Sequence, residues 1–427
     1  MKINNFEKLA ITDLRKRALE IAEVGLEVID TKRVIRSLVK LSGDKLTVLD
    51  KEISLERFNN IFIIGVGKAS FLAGQELEVI LKDKLKGGVI IDIKDGGLEK
   101  LKVFKGTHPL PSEENKRASK YIVDFLKDTK ATDLVIVIIS GGGSALLHGS
   151  DELSPENEAK ILKELFRVGA TIEEINTIRK HTSFTRGGHL ARYIYPAKAV
   201  SLIFSDVPGD DMQFISSGPT IKDKTTIEAA EAVLDRYNIL EKVGLKRINL
   251  LETPKDDKYF DRVDNILVLS NKHALEAMAD QARRLGFAPI IKTNTLRGEA
   301  SKVGVDIAKD LKKVEKGTAL IYGGETTVTL KGDGKGGRNQ ELALAALTEI
   351  SDSDLILTLA SDGRDNTDHA GAICDINTKQ KIRNLKISVT KYLEDNDTYR
   401  FFEKVGDYID TGDTGSNVSD LIIAIKG

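Results

Sequence analysis

Ile61-Phe62-Ile63-Ile64-Gly65-Val66-Gly67-Lys68-Ala69-Ser70 is an apolar run that enters a glycine turn, and residues 71–82 behind it have helical periodicity. Ile and Phe without polar alternation mark a strand buried on both faces, which implies a parallel sheet covered by helices. The glycines let the chain turn tightly and let backbone approach a ligand. The G-x-x-x-x-G-K-[ST] spacing of a P-loop is missing, and Ser70 stands where a dinucleotide fingerprint needs its third glycine. Position alone leaves Lys68 a solvated lysine like most others.

The same pattern extends outward. Further buried-type strands are predicted at 88–93, 133–140 and 199–205, with amphipathic helices such as 112–127 and 155–168 between them. Upstream, residues 13–41 repeat at helical period, with Leu14, Ala18, Ile21, Ala22, Leu26 and Ile29 on one face. Downstream, residues 240–263 are charge-rich and contain Thr253-Pro254 and Asp256-Asp257, which sets a boundary between domains 1–255 and 256–427. A second alternation follows, with strands at 265–270, 289–293, 318–322, 327–330, 354–360 and 418–425 and helices at 272–285, 299–313 and 339–350. The expected fold is α/β: two lobes facing a cleft, a parallel-sheet N-terminal lobe and a smaller α/β C-terminal lobe. Ligands belong at the carboxyl ends of the strands.

Composition narrows the functions. Lys plus Arg total 64 and Asp plus Glu 65, so no general basic surface is offered to nucleic acid. Trp is absent and aromatics make up 5%, too few for stacking platforms. No apolar run is long enough to span a bilayer. Cys374 is the only cysteine, which excludes an intrachain disulfide or a Cys-based metal cluster. These features fit a cytoplasmic enzyme of small molecules, with neither nucleic acid nor membrane as partner.

Glycine turns recur after other strands. Ser140-Gly141-Gly142-Gly143-Ser144-Ala145 exposes successive amides, an arrangement that can cradle an anion. Ser144 could donate to a phosphate or only cap a helix. Near the C-terminus, Gly323-Gly324-Glu325-Thr326-Thr327-Val328 precedes Gly332-Asp333-Gly334-Lys335-Gly336-Gly337-Arg338-Asn339-Gln340-Glu341. Here the first amides of the following helix favour an anion, and Arg338 adds a cationic fork; a mobile glycine-rich hairpin tip is the plainer reading. Arg179-Lys180-His181 sets two cations beside a histidine, suited to a polyphosphate or equally to a solvated helix face. Ser205-Asp206-Val207-Pro208-Gly209-Asp210 and Ser361-Asp362-Gly363 place carboxylates at strand ends, where they could hold Mg²⁺ or serve a turn. His108, in Thr107-His108-Pro109-Leu110-Pro111, is distinctive but reads by default as structural.

Together these blocks, with Ser216-Ser217-Gly218-Pro219-Thr220, resemble in order and over nearly the whole chain the class II glycerate kinases, whose C-terminal region is called MOFRL. The resemblance implies ATP- and Mg²⁺-dependent phosphorylation of D-glycerate, a Rossmann-like N-terminal lobe, a smaller C-terminal lobe and often a homodimer. It matches Lys68 and Arg338 to an essential basic pair in the cleft between the lobes. The 2-phosphoglycerate product is the expected one.

The hypothesis that follows lays ATP's phosphates on Gly141, Gly142, Gly143, Ser144 and Ala145, helped by Lys180. It gives the metal to some of Asp206, Glu325 and Asp362, and the substrate to Lys68, Arg338 and Asn339. Domain closure would bring Lys68 and Arg338 to the transferred group, and loss of either should abolish turnover while the fold survives. Two rivals remain. A nicotinamide-dependent hydroxypyruvate reductase would use Gly65-x-Gly67 with Asp92 or Asp95; a non-catalytic nucleotide sensor would bind ATP without transfer.

Overall fold

Every residue of Asp133–Ile139 is buried, and a strand so hidden needs strands at both edges and helices on both faces. The computed structural model, which describes all 427 residues, builds that arrangement. The chain divides into two compact units, each discontinuous in sequence. The parallel-sheet unit comprises Thr31–Ser205 and Asp210–Val268; the mixed-sheet unit comprises Met1–Asp30, Asp206–Gly209 and Leu269–Gly427.

The parallel-sheet unit opens with an antiparallel meander, β1 (Val39–Ser42), β2 (Lys45–Val48) and β3 (Lys51–Ser54), that the sequence reading missed. β4 (Asn60–Val66), β5 (Leu85–Asp92), β6 (Leu101–Lys105), β7 (Asp133–Ile139), β8 (Lys198–Phe204) and β9 (Val263–Leu269) then form one sheet in the order β6-β5-β4-β7-β8-β9. From β6 through β8 every pairing is parallel. Counted from β4 this is the 3-2-1-4-5-6 order of the doubly wound nucleotide-binding fold, which reverses direction between β4 and β7. Capping sets the helix boundaries: the Ser112 hydroxyl accepts from the Asn115 amide, Pro155 opens the Pro155–Arg167 helix, and Thr171 with Glu174 forms a capping box that starts Ile172–His181.

The mixed-sheet unit is built on β10 (Ala288–Leu296), β11 (Thr318–Gly324), β12 (Leu355–Ala360), β13 (Gly371–Cys374), β14 (Tyr408–Ile409) and β15 (Asp420–Ile425), ordered β10-β11-β15-β12-β13-β14. Only β10 and β11 run parallel; β15 is inserted antiparallel to both β11 and β12. Successive side chains of a strand face opposite ways. Ile422 and Ala424 join the core under the Ala300–Lys312 and Arg338–Leu347 helices, while Leu421 lies on the face where Gly25 meets Met278. The Asp13–Val28 and Asn271–Arg284 helices pack together on that second face.

Three boundaries differ from the sequence reading. The helical stretch 13–41 is two helices, Asp13–Val28 and Thr31–Leu38, and the unit boundary falls between them at Asp30/Thr31. Arg15 explains the first assignment: wholly buried, it donates to both oxygens of Asp375 at 2.8 and 2.6 Å and to Asp407 at 2.7 Å, which fastens its helix to the C-terminal elements. The strand expected at 265–270 is β9, and it belongs to the parallel sheet, so residues 256–268 fall on the N-terminal side. The strand expected at 327–330 is absent. Only Thr327 makes a bridge, to Glu299, because the chain there turns away from β11 rather than pairing with it.

Candidate active site

In a doubly wound sheet the two strands at the reversal send their helices to opposite faces, and a crevice opens at their carboxyl ends. Here those ends are the turn after β4 and the turn after β7, and they are stitched together. The Lys68 amide donates to the Gly141 carbonyl at 3.0 Å, the Ala69 amide to the Ser140 hydroxyl at 3.0 Å, and the Ser140 amide to the Val66 carbonyl at 2.9 Å. The approach demands glycine at 67, where a side-chain carbon would fall 2.2 to 2.7 Å from Ser140.

Gly142 has φ 84°, and a carbon added to it would lie 3.1 Å from the His108 ring and 3.2 Å from the Lys68 side chain. Lys68 and His108 therefore flank the turn. The N–H groups of Gly141, Gly142 and Ser144 have no acceptor in the chain. The Ser144 and Ser217 hydroxyls are 2.9 Å apart, and Ser217 donates to Asn176 at 2.8 Å. Ser216 and Ser217 both hold positive φ, 52° and 58°, a strain typical of functional turns. Burial, then Lys68 and Arg179, push the His108 pKa down to about 4. The residue is exposed on one side, so water tempers the push, and the direction favours the uncharged imidazole.

Two expected members of this cluster are placed elsewhere. The Lys180 ammonium is buried in an ion pair with Asp223 at 2.9 Å, with 4% of its side chain exposed, so its charge is already neutralised by the protein. Ala145 is buried, and its amide is spent on the Gly142 carbonyl at 3.1 Å, so it offers an anion nothing. Asp92, the acidic residue a dinucleotide site would need, is fully buried and turned inward, accepting from the Phe71 amide at 2.8 Å and the Lys94 amide at 3.1 Å. It caps the Ser70–Leu81 helix and is closed to a ribose hydroxyl, whereas Asp95, the other acidic candidate, is exposed.

The mixed-sheet unit gathers a second set of groups, and the strand register does the gathering. Because β15 runs against both neighbours, its first residue, Asp420, pairs with Gly324 at the end of β11 and Ala360 at the end of β12. Glu325 and Ser361-Asp362 follow those strand ends directly. Segment Asp206–Gly209 joins them: the Ser419 hydroxyl donates to the Asp206 carbonyl at 2.7 Å. Arg338, the first residue of the Arg338–Leu347 helix, reaches across. Its guanidinium grips Asp420 bidentately at 2.6 and 2.9 Å and meets Glu325 at 3.1 Å.

Burial pushes the Glu325 pKa up to about 7; Arg338 opposes the rise, while Asp420, Asp206 and Asp362 add to it. With 46% of its side chain exposed, Glu325 is packed on one side and wet on the other, and water softens the rise without reversing it. Asp420 is 2% exposed, and burial raises its pKa too, against the pull of Arg338. These carboxylates are hard oxygen donors of the kind Mg²⁺ prefers. They are not drawn into a closed cage, since no three acidic, His or Cys side chains converge on one point. That spacing is compatible with Mg²⁺, which commonly takes one or two carboxylates and completes its shell with water and substrate phosphates.

The glycine-rich stretch 331–337 is not the anion cradle its sequence suggests. Asn396 accepts from the Lys331 and Gly332 amides at 2.6 and 3.2 Å, the Asp395 carbonyl from Gly334 at 2.9 Å, and the Asp397 carboxylate from Lys335 at 3.1 Å. A side chain on Gly334 would fall 2.3 Å from the Asp395 carbonyl oxygen, so the glycine allows close packing on residues 395–397. The helix start is occupied as well. Asp365 accepts from the Asn339 and Gln340 amides at 3.0 and 2.9 Å and lies 3.3 Å from the Asn339 side-chain nitrogen. Asn339 is 1% exposed, which takes it out of reach of a substrate.

Comparison with known proteins gives the chain its family. Residues 17–252 match the family described as a domain of unknown function, DUF4147, and residues 318–420 match the MOFRL family. The chain is 39% identical to a glycerate 2-kinase of Pyrococcus horikoshii, over 96% of this chain and 98% of the relative. It is 34% identical to a D-glycerate 2-kinase of Thermotoga maritima, again over 96% and 98%.

The chain belongs to the MOFRL family of glycerate kinases. The crystal structure of the Thermotoga maritima glycerate kinase matches it with TM-score 0.83 at 31% identity, covering 97% of this chain and 99% of that one. A Pyrococcus horikoshii crystal structure matches with TM-score 0.81 at 37% identity. Within this member of the family, sequence reasoning missed Asp420 and Asp365. Asp420 was legible only as the polar start of a buried strand, and nothing in sequence tied it to Arg338 across 82 residues. Arg179 was quoted with its motif but passed over for Lys180.

Proposed function

We propose that this chain transfers the γ-phosphoryl group of ATP to the 2-hydroxyl of D-glycerate, giving ADP and 2-phosphoglycerate. Family membership supports glycerate phosphorylation, and the 2-kinase names of the Pyrococcus horikoshii and Thermotoga maritima relatives support the position of transfer. The observation that carries the chemistry is the turn at 141–144. Unpartnered amides, a lysine and a neutral histidine converge there, at the reversal point of a doubly wound sheet.

In this reading the amides of Gly141, Gly142 and Ser144 receive phosphate oxygens. Phosphoryl transfer asks mainly for positioning and charge stabilisation, and Lys68 and Arg338 are assigned to the charge on the migrating PO₃ group. Arg338 keeps two of its nitrogens on Asp420 and turns the third toward Glu325. A ligand oxygen that replaces Glu325 there would meet a guanidinium already fixed in orientation, so little reorganisation is needed. Asp206, Glu325 and Asp362 would hold Mg²⁺, which when bound neutralises phosphate charge. Burial first, and then the nearby Asp420, Asp206 and Asp362, raise the Glu325 pKa, and a cation bound there would offset both.

A homodimer working in the cytoplasm completes the proposal. No helix is long and apolar enough to cross a membrane, and light scattering at twice the chain mass is the expected result. The central test incubates the protein with ATP, Mg²⁺ and D-glycerate and offers the product to enolase with and without phosphoglycerate mutase. Direct consumption by enolase supports the 2-phosphate. A strict need for the mutase overturns the position of transfer, and absence of ADP overturns the kinase.

A further inference from the structure

The fully buried cations of this chain, and Arg338 at the candidate site, each meet a carboxylate. Arg15 has Asp375 and Asp407, Lys180 has Asp223, Arg186 has Glu158, and Arg338 has Asp420. Arg179 has no carboxylate or carbonyl on its guanidinium, and its Nε is shut from water without a partner. Arg186 adds a like charge nearby, and Glu158, the carboxylate whose charge reaches Arg179, is itself bonded to Arg186 and His148. A desolvated, uncompensated cation is costly for a fold, so the place it faces matters.

That place is the 141–144 turn. Arg179 lies three residues after Asn176 on the Ile172–His181 helix, and residues so spaced share one helix face. Asn176 holds Ser217, and Ser217 touches Ser144 of the turn. His108, whose ring borders Gly142, feels the Arg179 charge together with that of Lys68. These links set a planar fork whose Nε has no partner on the side of the three unpartnered backbone amides. Such a fork takes two oxygens of a phosphate at once, which a point charge cannot do.

We infer that Arg179 is a phosphate-binding residue, its guanidinium taking oxygens of a polyphosphate tail that lies on the 141–144 turn. This deepens the kinase reading and rests on it for the identity of the ligand as a nucleotide. Burial and Arg186 lower the Arg179 pKa to about 10, so the group is charged and ready at neutral pH.

The test is calorimetric titration of the full chain with inorganic tripolyphosphate and, separately, with D-glycerate. Arg179→Gln is expected to weaken tripolyphosphate binding by about tenfold or more and to leave D-glycerate binding unchanged. Its ligand-free melting temperature should hold or rise, because an unpaired charge has gone. Should Arg179→Gln fail to fold, Arg179→Lys decides: the charge remains but the fork is lost, and a weakening of at least about threefold is expected. Undiminished tripolyphosphate affinity in the folded variant, a loss confined to D-glycerate, or no tripolyphosphate binding by the wild type overturns the inference. A wild type that binds tripolyphosphate through Arg179 yet phosphorylates no glycerate refutes the kinase reading and leaves the Arg179 site standing.

Discussion

Two glycine turns of this chain read alike and do opposite things. At 140–144 the chain leaves amides without acceptors and sets Lys68 and His108 beside them. At 331–337 the amides of Lys331, Gly332, Gly334 and Lys335 are answered by Asn396, Asp395 and Asp397, and the helix that follows is capped by Asp365. A glycine-rich turn is an anion site only where the protein withholds an anion of its own. The second turn instead fixes Arg338 in position, since the helix it launches begins with that residue.

The contrast would break most visibly at Lys68. Lys68→Ala should lower turnover by about a thousandfold in a protein whose circular dichroism matches the wild type. Turnover within tenfold would take the first turn out of the chemistry. Arg338→Ala should cost turnover on a similar scale and, unlike Lys68→Ala, about 3 kcal/mol of stability, because it strands buried Asp420 without a partner. The expectation from sequence that the fold survives both changes equally is therefore revised for Arg338. Pairing Arg338→Met with Asp420→Asn should restore urea stability and leave turnover low; turnover returning with stability would make Arg338 structural.

A smaller effect separates the turns directly. Gly334→Ala should destabilise by about 2 kcal/mol through its clash with the 395–397 backbone and leave the KM for ATP in place, whereas Gly142→Ala should raise that KM by pressing on Lys68 and His108. Equal KM changes would erase the distinction. The smallest effect concerns the anion that fills the second turn. Burial and Asp420 push the Asp365 pKa up to about 7 from an ordinary 3.8. Between those values the folded chain keeps a proton that the unfolded chain has shed, so stability falls as pH rises through the window and levels off above it. Asp365→Asn should remove that slope, a difference on the order of 1 to 2 kcal/mol between pH 4 and 7.5 in denaturant titrations. Parallel profiles for the two proteins would show Asp365 ionised throughout.

Much of this was legible in local chemistry. The buried strands 133–139 and 60–66 announced a parallel sheet through unbroken Ile and Val, and the glycines at 65, 67 and 141–143 announced turns at its carboxyl edge. Lys68 follows such a turn, but position alone leaves it a solvated lysine, and only the family resemblance singles it out. Sequence does not separate Arg179 from Lys180, adjacent like charges on one helix, and only a partner, Asp223, shows that Lys180 is spent. The N-terminal helix could not be assigned to the C-terminal unit from periodicity, since a helical face says that something covers it and not what; Arg15 and its two aspartates supply the answer.

Sequence by itself determined most of the elements, the parallel character of the first sheet, and the residue types available for phosphate chemistry, because backbone sterics and hydrophobic period act over a few neighbours. Tertiary structure alone decided which charges are cancelled. An ion pair joins residues tens or hundreds of positions apart, and burial multiplies its weight, so whether Arg338, Lys180 or Arg179 faces a carboxylate or an empty amide cradle is settled only when the strands have taken their register.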